Sequence, residues 1–184
     1  PPQPQVDEAT FDFDDDDDLI AKTEEAVKKI PKARLEKLQD NYKRLEAIEY
    51  CVDNGETAYF TTNAKPLIAD IQEHSAALRE EAVKEKDAKK KKVSEKLTAD
   101  LSPAIQNSQA SLKDQGNEEK KEKGLESVRA LKDDVIDALV AEGVPKKQAE
   151  KVLLGEQRDE ELIAELITLK QNAVEVKNAV EKQN

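Results

Sequence analysis

Apolar residues recur every three or four positions through most of the chain, and this spacing predicts helices. The longest run extends from Pro66 to Leu101, where Leu67, Ile71, Leu78, Ala82, Val93, Leu97 and Leu101 fall on one stripe. Read as one element it is a rod of about 50 Å at 1.5 Å per residue. A rod of that length cannot bury its own stripe, so the flanking helices are expected to cover it. Before it, a short helix is predicted over 19–29, stopped ahead of Pro31 because the residue before proline disfavours helix. A second helix over 32–53 presents Leu35, Leu38, Tyr42, Leu45, Ile48 and Val52 on one face and ends at Asn54-Gly55. After the rod, Ser102-Pro103 predicts an N-cap and first turn for a helix over 103–114.

The pattern lapses from Gln115 to Gly124, a polar stretch bounded by Gly116 and Gly124, and 115–124 is predicted to be a linker. Beyond it, Leu125, Val128, Leu131, Val135, Ala138 and Leu139 predict a helix ended by Gly143. Pro145 opens a second, with Ala149, Val152 and Leu153, ended by Gly155. A third, capped by Asp159, carries Leu162, Leu166, Leu169, Ala173, Val176 and Val180 in alternating steps of four and three, the spacing of a coiled-coil seam. The expected architecture is therefore all-α: an elongated helical hairpin or bundle over 19–114, a linker, and a three-helix unit over 125–184. The short helix 145–154 spans only about 15 Å, so Ala173, Val176 and Val180 are expected to need cover from the N-terminal helices, a second copy or a partner helix.

Charge changes the picture at the N-terminus. Of 184 residues 39% are charged, and the net charge is -11. Residues 1–20 hold eight acids (Asp7, Glu8, Asp12 and Asp14 to Asp18) and no Lys or Arg, leaving 30 bases against 33 acids, a net of -3, for the rest. Residues 1–18 carry too little apolar surface to offset the entropy of ordering and are read as a disordered acidic tail. Phe11 and Phe13 interrupt the acids as anchors of a linear motif would. An EF-hand does not fit, because Asp17 stands where the loop needs Gly and Thr23 where it needs Glu. The nearly balanced body disfavours nucleic acid as a partner. The lysine-rich stretch from Lys84 to Lys96 reads as a solvated helical face, with a membrane surface or lipid headgroups as a weaker alternative.

Candidate chemistry is sparse. There is one Cys, one His and no Trp. Cys51, without a base nearby in sequence, reads as a structural thiol, and His74 as a seam-edge residue without further metal ligands. No Gly-rich phosphate loop, HExxH motif or nucleophile elbow occurs, so no catalytic residue, metal or cofactor is expected and the protein is not expected to be an enzyme. Tyr59 and Phe60, in the only strand-like stretch, Thr57 to Thr62, read either as a plug on the helical hairpin or as an exposed aromatic docking loop. No apolar run approaches the roughly 18 residues of a membrane span, so a soluble chain is expected. Its start at Pro1 and lack of Met fit a cytoplasmic or a secreted product equally.

The run Ala138 to Leu153, Ala-Leu-Val-Ala-Glu-Gly-Val-Pro-Lys-Lys-Gln-Ala-Glu-Lys-Val-Leu, resembles the first two helices of a ubiquitin-associated domain. It carries Glu142-Gly143-Val144 where that family has Met-Gly-Phe or Met-Gly-Tyr. Through Gly143-Val144 it is also similar to bacterial albumin-binding three-helix modules. The resemblances imply small helical recognition units, and no binding residue transfers from either. The leading expectation is a non-enzymatic interaction, adaptor or assembly protein that binds protein partners or itself along amphipathic seams. The candidate partner-binding residues are Phe11, Phe13, Tyr59, Phe60, Ala173, Val176 and Val180. The alternatives are a secreted or surface helical protein that carries lipid or binds a host protein, and a ubiquitin-associated-like module at 125–184.

Overall fold

A computed structural model describes residues 17–155 and 159–183, and on the last helix it describes the side chains of Thr168 and of residues 171–182. The tail over 1–16, with Phe11 and Phe13, lies outside the described residues. Seven helices and no strand occur among them: α1 over 17–29, α2 Lys32–Asn54, α3 Ala58–Glu85, α4 Ala88–Lys113, α5 Glu118–Ala141, α6 Lys146–Leu154 and α7 Asp159–Gln183. The fold is all-α, as the periodicity predicts.

Helices α2 to α5 run up and down in sequence, each packed on its neighbours, with α5 closing back onto α2. The short α6 covers the seam between α2 and α5. Leu38, Tyr42, Leu45 and Ile48 of α2, Leu67, Ile71 and Leu78 of α3, Leu97 and Leu101 of α4, and Val128, Leu131 and Leu139 of α5 join one apolar cluster. Ala149 and Leu153 of α6 and Ala26 of α1 extend it. At about 25 cal/mol per Å² of buried apolar surface, this shared core dominates the stability.

The rod expected over 66–101 is two helices. Lys86 takes a left-handed conformation (φ 54°), and Asp87 caps α4 by accepting hydrogen bonds from the Lys89 and Lys90 backbone N–H groups at 3.0 and 3.2 Å. The chain thus reverses between Glu85 and Ala88, and α3 and α4 lie side by side. Small residues hold that contact close. The Ser75 hydroxyl lies 2.9 Å from the Ser94 carbonyl and 2.8 Å from Thr98 Oγ1, while the Ser94 hydroxyl donates to the Ser75 carbonyl at 2.8 Å. Prolines mislead here as stop signals: Pro66 lies within α3 and Pro103 within α4. The separate helix expected over 103–114 is the second half of α4.

The linker expected over 115–124 shrinks to a tight turn. Asn117 caps α5, its side chain accepting from the Lys120 N–H at 3.2 Å, and residues 118–124 are the first turns of that helix. Gly124 is buried, and a Cβ built on it would lie 3.2 Å from the Asn107 carbonyl oxygen and 3.3 Å from Val52 Cγ1. This glycine is the point where α5 approaches α4 and α2 most tightly, and both halves of the chain meet there in one core. Gly124→Leu is expected to cost about 1–3 kcal/mol by overpacking, read from the urea midpoint at unchanged slope.

Ion pairs tie the bundle's ends. Arg34 reaches Glu81 of α3 at 2.9 Å and Glu142 beyond α5 at 2.8 Å, and Asp70 receives Lys37 at 3.0 Å and Arg44 at 2.9 Å. Lys132 of α5 pairs with Glu46 and, at 2.8 Å, with Glu49 of α2.

Candidate protein-binding surfaces

The seam of α7 is the first candidate. Val176 is 56% exposed, Val180 54% and Val174 45%, whereas Ala173 is half-buried. Helix α7 touches α3, but of its described side chains only Ala173 is screened from solvent to any extent. The expected need for outside cover at Val176 and Val180 therefore stands open within the chain. Three valines exposed within seven residues on a 25-residue helix present an apolar strip to solvent. Isolated exposed apolar residues are ordinary on protein surfaces, but a helical row of them is the mark of a contact face.

The aromatic pair belongs elsewhere. Tyr59 and Phe60 lie in the first turn of α3, where Phe60 is buried in the core cluster and Tyr59 is half-buried against it. The plug is the correct reading and the exposed docking loop is not, because a helix starting at Ala58 turns Phe60 toward α4.

A second surface went unread in the sequence. Between α3 and α4 a hollow of about 490 Å3 is lined by Ile68, Ile71, Ala76, Leu97, Leu101 and Ile105, among others. Ile68 and Ile105 also line the next hollow, of about 320 Å3, which continues past Phe60, Ala64 and Leu112. Together they form one groove whose extent along α3, from Thr57 to Arg79, is about 33 Å. Its charged lining residues are Lys65, Arg79 and Lys113, and it includes no carboxylate among the described residues. None of these three cations has an ion pair or side-chain hydrogen bond among the described residues. Val83, 75% exposed, continues the row of Gln72, Ala76 and Arg79 on α3. The sequence signal was a second apolar line, Ile68, Ala76 and Val83, offset from the core stripe. It becomes a groove only once α3 and α4 are known to be neighbours.

The titratable groups in the interior are those of a scaffold. Burial, with the nearby Glu56 carboxylate adding to it, pushes the Cys51 thiol up to about 12, so the thiolate that reacts with electrophiles is scarce at neutral pH. Native protein is expected to leave Cys51 unmodified by Ellman's reagent over an hour and to expose one thiol per chain in 6 M guanidinium. Burial, with Arg34 nearby, lowers His74 to about 4, and its Nε2 is buried without a partner. Among the described residues, no group of three or more His, Cys, Asp or Glu side chains is placed to hold a metal ion. None of their helices is long and apolar enough to cross a membrane.

No family model, no curated protein and no solved structure matches the chain.

Proposed function

We propose that this is a non-enzymatic helical interaction protein that binds a protein partner along the amphipathic seam of α7. The observation that carries the reading is the exposure of Val174, Val176 and Val180 on a helix attached to a well-packed bundle. Burying a valine is worth about 1.5–3 kcal/mol, and Ala173 among the valines permits close approach of a second helix, so a helical partner suits the strip better than a flat surface. The bundle's part is to hold α7 out from a rigid core.

Val176→Asp tests this. The substitution is expected to abolish association through α7, read by sedimentation velocity and by binding of the partner, while circular dichroism and the melting temperature of the bundle stay unchanged. A variant that keeps its associations and its stability in full would leave the strip without a role, and the reading would fall.

A further inference from the structure

We propose that the groove between α3 and α4 binds the N-terminal acidic segment of a second copy of this chain, with Phe11 and Phe13 on its apolar floor and the intervening aspartates against Lys65, Arg79 and Lys113. The inference concerns a different surface from the α7 strip and stands independently of it.

Charge selects the occupant. The groove combines apolar lining with three unpaired cations and no carboxylate among the described residues. It therefore fits a ligand that is anionic and apolar at once. Within this chain, residues 7–18 have that composition: Asp7, Glu8, Asp12 and Asp14 to Asp18 with Phe11 and Phe13, and no base. Helix α7 is less suited, because it mixes its acids with Lys170, Lys177 and Lys182. Each ion pair at such a surface contributes up to about 1 kcal/mol and is weakened by salt, so the aromatic anchors supply most of the affinity and the aspartates fix the register. The body's net of -3 leaves little repulsion between two copies once each acidic segment lies on cations.

Reach selects the second copy over the chain's own tail. Asp18, Leu19 and Lys22 share a surface hollow with Pro145, Lys146 and Lys147, and Lys146 shares the next hollow with Lys96 and Asp100 of α4. By helical spacing, Lys96 and Asp100 stand on the opposite side of α4 from Thr98, Leu101 and Ile105, which line the groove. Half the circumference of a helix 10–12 Å across is about 17 Å. Phe13 lies four residues before the start of α1 at residue 17, and four residues span at most about 14 Å. The chain's own Phe13 stops short of its own groove. A tail from another molecule has no such limit, and two copies exchanging tails reciprocally close a two-fold dimer.

Sedimentation equilibrium on the full chain tests the proposal with two variants, a tail variant (Phe11→Ser with Phe13→Ser) and a groove variant (Arg79→Glu with Lys113→Glu). All four positions lie outside the core: the tail residues precede α1, and Arg79 and Lys113 are exposed. The native chain is expected to dimerise, and each variant alone to weaken dimerisation at least about a hundredfold, with native circular dichroism. Mixed one to one, the two variants are expected to form a heterodimer, because the intact tail of one meets the intact groove of the other. The proposal is overturned by a monomeric native chain, by a dimer that survives either variant, or by variants that stay monomeric when mixed. It is also overturned by a dimer that Val176→Asp dissolves, a result that would instead assign self-association to α7 and support the function proposed above.

Discussion

Tyr42→Ala is expected to lower the stability of the bundle by about 3–5 kcal/mol, the usual cost of removing a fully buried aromatic ring. Tyr42 is 1% exposed and lies at the centre of α2, in the core cluster shared with α3, α5 and α6. Its hydroxyl donates to Glu150 Oε2 of α6 at 2.6 Å, and Lys132 of α5 stands 5.5 Å from the ring centroid. One side chain therefore couples three helices. For a chain of this size each kcal/mol moves the melting temperature by about 2–4 °C, so the loss is expected at roughly 6–20 °C. Tyr42→Phe separates the contributions. It keeps the ring and removes only the bond to Glu150, whose carboxylate is exposed and rehydrates, so about 1 kcal/mol is expected. Urea unfolding of both variants checks the pair, and equal losses would mean that the ring's burial contributes nothing beyond the hydroxyl.

Helix content and most helix ends were legible because they depend on local spacing and local stops. The pair Asn54-Gly55 ends α2 with Gly55 at φ 71°, Asp159 opens α7, and the core residues named from periodicity are buried in the order predicted. The errors share a cause. The turn at Lys86-Asp87 uses neither Gly nor Pro, and charged residues on both sides suit a helix, so only the eleven-residue gap between Ala82 and Val93 on the stripe marked it. Pro66 and Pro103 fall inside helices whose first turns lie elsewhere. Gly124, read as flexible, is a packing residue, and that distinction depends on Asn107 and Val52, seventeen and seventy-two positions away. Of the candidate sites, the α7 strip was visible because it lies on one helix. The groove was invisible because it belongs to two helices that the sequence reading had fused into one.

Asp134 is expected to make the fold less stable as pH rises through neutrality. The residue is 4% exposed on α5, and its Oδ2 has no hydrogen-bond partner. Burial first, and then a shared hydrogen bond with Asp100 of α4, raise its pKa to about 8, whereas an unfolded Asp titrates near 3.9. Lys96 of α4 opposes that rise, Asp137 of α5 adds to it, and Asp133 and Lys146 complete the surrounding hollow. The folded state thus holds a proton between about pH 4 and 8 that the unfolded chain has released. Stability is greatest below this window and declines upward through it, by up to about 1.4 kcal/mol per pH unit. His74 acts in the opposite sense at lower pH. It stays neutral in the fold down to about 4 while the unfolded imidazole protonates near 6.5, so stability falls as pH drops between those values. The two effects oppose one another from about 4 to 6.5, and Asp134 acts alone from 6.5 to 8. Asp134→Asn keeps the shape and a donor toward Asp100 but has no proton to lose. It is expected to raise stability at pH 7.5 by about 1–3 kcal/mol and to flatten the decline from pH 6.5 to 8. Urea denaturation at half-unit intervals checks this, and a variant that retains the slope would place the responsible proton on another group.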